Sequence, residues 1–60
     1  MTENMKFWLK EYANDHLETA RLEHLWALGS PNGEAAMLHE MNADEHRKFA
    51  NMLETMANNI

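Results

Sequence analysis

The chain has 60 residues, no cysteine, ten acidic against five basic residues and a formal charge of −5. That length allows one domain at most, a disulfide framework is ruled out, and no apolar run approaches the ~20 residues of a membrane helix. The first residues lack the basic-then-apolar order of a secretory signal, and the missing cysteine fits a reducing compartment, so a cytoplasmic protein is expected. At 45% apolar residues the chain is too hydrophobic for disorder. A domain of ~60 residues buries only about 60% of its unfolded surface. Its support must therefore come from a metal, from oligomerisation or from very regular helix packing.

The expected elements are two. Residues 1–60 read as a single helical hairpin, with helix 1 over about 3–28, a turn at 29–33 and helix 2 over about 34–58. Both flanks of the turn lack glycine and proline and are rich in Ala, Leu, Met, Glu and Lys, which are good helix formers. Thr2 is a candidate N-cap for helix 1, and Glu3 suits the positive helix end. Gly29 fits a left-handed C′ position. Ser30-Pro31 reads as an N-cap and N1 pair, Asn32 is the alternative cap, and Glu34 again suits a first turn. So short a connection makes the helices antiparallel neighbours.

At 100° per residue, Met5, Leu9, Ala13, His16, Ala20, Glu23, His24 and Ala27 form one stripe of helix 1. The matching stripe of helix 2 is Ala35, Ala36, His39, Ala43, His46, Ala50, Leu53 and Ala57. Folding about residue 31 or 32 pairs numbers that sum to 62 or 63. Ala27 then faces Ala36, His24 faces His39, Ala20 faces Ala43, His16 faces His46, Ala13 faces Ala50 and Leu9 faces Leu53. A second apolar surface carries Trp8, Tyr12, Leu22 and Trp26 on helix 1. On helix 2 it carries Leu38, Met41, Phe49, Met52, Met56 and Ile60. Lys10, Asn14, Arg21, Glu40, Asp44, Arg47, Asn51 and Glu54 form the expected solvent side. A lone hairpin cannot cover the Trp/Met surface, and an exposed patch of that size marks an interaction site. The expected fold is all-α, an antiparallel two-helix hairpin that homodimerises into a four-helix bundle with two-fold symmetry. The rival use of the same face is a grip on a different protein, which pliable methionines would serve equally well.

All four histidines fall on or near the seam. Glu23 and Asn42 lie by the His24/His39 layer; Asp15, Thr19 and Glu45 lie by the His16/His46 layer. Two neutral imidazoles can share one N–H···N bond, so the leading reading is a hydrogen-bonded belt that sets register. The alternative is a site for zinc or iron, with His16, His46, Glu45 and Asp15, or Glu23, His24 and His39, as ligands. No histidine has the Glu three residues before it that di-iron bundles use. A third reading is a pH switch, since protonating every histidine would set like charges face to face.

Nucleophile motifs and phosphate loops are missing, and a hairpin this small offers no cleft, so no enzyme is expected. The acidic balance opposes generic phosphate binding. In length and mid-chain turn the chain nevertheless resembles the dimeric hairpin of the Rop plasmid copy-number regulators, and that likeness of shape implies an RNA-binding dimer. The expectation is a small acidic, non-enzymatic protein–protein interaction protein, a regulator, adaptor or inhibitor. Its expected partners are itself and another protein, with no membrane, nucleic acid unfavoured and no cofactor. A histidine/carboxylate metal-binding bundle and a Rop-like RNA binder are the alternatives.

Overall fold

The structure, a computed structural model, describes residues 2–60, with side chains from Glu3 onward. The hairpin is as expected: helix α1 runs Thr2–Gly29 and helix α2 runs Gly33–Asn58, packed along their whole length. The cap expected of Thr2 lies outside the described side chains. Acidic Glu3 and Glu34 stand in the two first turns, where the helix dipole favours them.

The turn differs from expectation in two details. Gly29 is the last residue of α1, and no glycine among the described residues has positive φ. The helix therefore ends without a left-handed residue; Ser30 ends it instead, its Oγ donating to the Trp26 carbonyl at 2.7 Å and its backbone N–H to that of Ala27 at 3.2 Å. The N-cap of α2 is Asn32, not Ser30, with φ −136° and ψ 155°. Its side-chain oxygen accepts from the Ala35 N–H at 2.8 Å, satisfying one of the free donors of the first turn. Pro31 thus precedes the cap, in the turn itself.

The seam is built of alanine. Ala13, Ala20 and Ala27 on α1 and Ala43, Ala50 and Ala57 on α2 are 0–7% exposed, and they are the entire buried core among the described residues. Each set recurs every seven residues, which keeps one line of a helix against its partner. Three residues after four of the alanines come His16, Glu23, His46 and Leu53, and His39 lies on the same line seven residues before His46; all are half-buried, so an alanine line and a larger line alternate along the seam. Met5 was expected in this stripe but is 58% exposed. It falls one step off the alanine line, level with Tyr12 and Trp26, and belongs to the neighbouring face.

A core of six methyl groups is thin, since burial is worth about 0.8 kcal/mol per CH2 unit. No side chain larger than alanine is buried in the described chain. Thickness is missing as well: the Cα trace measures 47 × 13 × 9 Å and has a radius of gyration of 13.9 Å. A compact chain of this length would have about 10 Å. The exposed area of 4624 Å² likewise exceeds the about 4,000 Å² of a globular monomer of this mass. The hairpin is one layer, whereas stable domains are built of two.

Candidate functional site

Three polar pairs bridge the helices at half-buried positions in the seam. His16 and His46 meet through their Nδ1 atoms at 2.8 Å, with the rings stacked 5.1 Å apart. One ring donates its N–H and the other accepts, so the pair is satisfied as expected when neutral. The other two histidines do not pair with each other as expected. His39 bonds the Glu23 carboxylate at 2.6 Å, and His24 bonds Glu40 at 2.5 Å. A carboxylate accepts more strongly than a second imidazole, and each His has one directly across the seam. Glu23 is the more enclosed acid, its side chain 14% exposed against 41% for Glu40. Glu40 was expected on the solvent side; instead it closes this edge of the seam.

The other residues expected around the belt stand outside it. Asn42 is exposed. Asp15 and Glu45 are exposed too, and Glu45 sits 3.8 Å from Lys48 on its own helix. Thr19 donates to the Asp15 backbone carbonyl at 3.0 Å. Of the two proposed ligand sets, the hairpin joins His16 to His46 and Glu23 to His39. Among the described residues no three His, Cys, Asp or Glu side chains converge into a group that could hold a metal.

On one side of this ladder lies the aromatic face. Trp8 packs on Tyr12 with centroids 6.1 Å apart, and Phe7 sets its edge against Trp8 at 5.3 Å. Phe49 lies 4.7 Å from the His16 ring, and Trp26 lies 5.9 Å from His39. The aromatic face and the histidine ladder are therefore contiguous. Trp8, Tyr12, Trp26, Leu38, Phe49, Met52 and Met56 remain about half exposed, and Leu22 is the least exposed of the face. Met41 is equally exposed but lies in line with Glu34, Lys48 and Thr55, on the outer side of α2.

The opposite side is less polar than the sequence suggested. Leu17, Leu25, Leu28 and Met37 are also exposed large apolar side chains, as is Phe7, whose ring reaches the border of the aromatic face at Trp8. Of these only Phe7 and Leu28 share a seven-residue line, and polar Asn14 and Arg21 lie between them on it, so their spacing does not mark an apolar face. Two of the basic residues there, Arg21 and Arg47, are locally neutralised. Arg21 donates to Glu18 and Arg47 to Asp44, each at 2.6 Å. Hydrogen bonding to Glu18 holds the Arg21 guanidinium above its ordinary value. No helix of the described chain is long and apolar enough to cross a membrane. No family model matches the chain, and neither a curated protein nor a solved structure shows significant similarity to it.

Proposed function

We propose that this chain is a small non-enzymatic protein–protein interaction protein, a regulator, adaptor or inhibitor, that works as a homodimer. The Trp/Met face is its self-association surface, and the acidic exterior of the resulting four-helix bundle is its working surface. One observation carries the reading: the six buried residues are all alanine, while both tryptophans stay more than half exposed. Burying a Leu, Phe or Met side chain contributes about 1.5–3 kcal/mol, so the largest unused stabilisation of this chain lies on that face. Helix pairs conserve this energy by adding a second layer. With ten acidic and five basic residues per chain, the dimer doubles a net charge of −5, and most of the acids lie on its outside. Such a surface recruits basic protein surfaces and repels phosphate backbones.

Sedimentation equilibrium of the untagged chain over a range of concentrations tests the assembly. A mass of twice the 7.0 kDa protomer is expected. A monomer that keeps its helix content across the whole range would overturn the reading and leave the Trp/Met face for a different protein.

A further inference from the structure

The occupant of the Trp/Met face and its orientation both follow from the placement of residues along it. We infer that a second copy covers this face with its turn at the same end, the two-fold axis running lengthwise between the hairpins. The inference rests on the self-association proposed above.

Area permits it. The backbone footprint of the hairpin is 47 by 13 Å. That is on the order of 600 Å² before side-chain relief is added, close to the ~800 Å² per partner of a standard stable interface. A shorter partner, such as a single helix, would leave half of the face wet.

Orientation follows from polarity. Two copies can stack the same face in two ways. With turns at the same end, α1 lies on the second copy's α2, and each layer repeats the pairing already present within one hairpin. Leu9 and Leu53 then meet their own kind, the His16–His46 pair meets a second such pair, and Glu23 meets the second copy's His39. Above the seam Tyr12 meets Phe49 and Thr19 meets Asn42, again matched in polarity. With turns at opposite ends, α1 lies on α1 and the register inverts. Glu23 is then set against Leu9 and Asn42 against Phe49. Closing a carboxylate or amide against an apolar side chain costs free energy in every such layer. At the rims both arrangements oppose acids, Asp15 to Glu45 in the first and each to itself in the second. Those residues are exposed, so the rims do not decide between the two. The inferred bundle has a four-histidine layer at its midpoint, because His16 and His46 lie at the middle of α1 and α2.

Because the chain has no cysteine, one introduced cysteine carries one spin label. Glu34→Cys places it at the turn end, at an exposed position, and Asn58→Cys places it at the open end. Double electron–electron resonance between protomers is the measurement. With turns together, each variant gives a separation of about two helix diameters, roughly 20–30 Å with the label arms. A separation near the 47 Å length of the hairpin in both variants would overturn the orientation while upholding self-association. Absence of any inter-protomer signal from fully labelled, folded protein at high concentration, in both variants, would overturn both. If one variant fails to fold, by circular dichroism, the other decides.

Discussion

His16 and His46 contribute to the hairpin as a unit. Removing one ring leaves the other half-buried without its partner, which costs about 1–3 kcal/mol, whereas replacing both by apolar groups of similar shape is nearly neutral. His46→Ala is therefore expected to lower the melting temperature by several degrees, given about 4–8 °C per kcal/mol for a domain of this size. His16→Leu with His46→Leu should restore it, since the neighbouring layer is already Leu9 and Leu53. Thermal denaturation followed by circular dichroism checks both, and a double variant less stable than the single one would show that the pair has a role beyond mutual satisfaction. The carboxylates divide by enclosure. Glu23→Gln, at the more enclosed site, should cost about 1 kcal/mol, and Glu40→Gln less than half of that, because water competes for a hydrogen bond at an exposed carboxylate. Equal losses in urea titrations would mean that enclosure does not set their worth.

At the scale of the elements, the turn and the alanine line make opposite demands. Gly29 and Gly33 both lie within helices, lack positive φ and have open space where a Cβ would stand. Gly29→Ala should therefore stabilise the chain by about 0.4–1 kcal/mol, through the unfolded state as much as the folded one. A left-handed cap glycine would give the reverse sign, so urea unfolding of this variant tests the observed turn against the one its sequence suggests. Asn32→Ala should cost about 1 kcal/mol and Asn32→Asp little, because only the capping acceptor matters. The seam is less forgiving. Ala43 is fully buried against α1, and Ala43→Leu would force the helices apart at a cost of about 1–3 kcal/mol. A variant with unchanged stability would mean that the helices are not held at alanine distance.

At the scale of the whole molecule, the two broad faces should respond differently to truncation. Trp26→Ala removes a large side chain that reaches from the Trp/Met face onto His39. Tryptophan anchors of interfaces typically cost 2 kcal/mol or more on truncation, so the dimer should weaken by roughly 30-fold or more. Leu28→Ala, at the most exposed of the large apolar side chains and off that face, should leave association unchanged. Sedimentation of the two variants side by side checks the assignment of the face. Equal effects would mean that the hairpin associates through no particular side.

Much of this architecture was legible in the residues alone. The glycine–proline cluster at the midpoint, uninterrupted helix formers on both sides and alanine at a repeating interval determine a hairpin and its register. These signals are local, and helix geometry converts them directly into position. The register in turn brought His16 to His46 and marked the Trp/Met surface as unpaired. Hydrogen-bond partners were a different matter. His24 and His39 were expected to share a bond, and Glu40 was expected in water, because a stripe drawn on one helix says which layer a side chain occupies but not which of several acceptors lies nearest. Gly29 and Asn32 show the same limit: three capping residues compete within four positions, and the choice among them depends on how the packed helices enter the turn. The spacing of residues sets the layers; the distance between helices, which only the folded pair possesses, decides the partners within each.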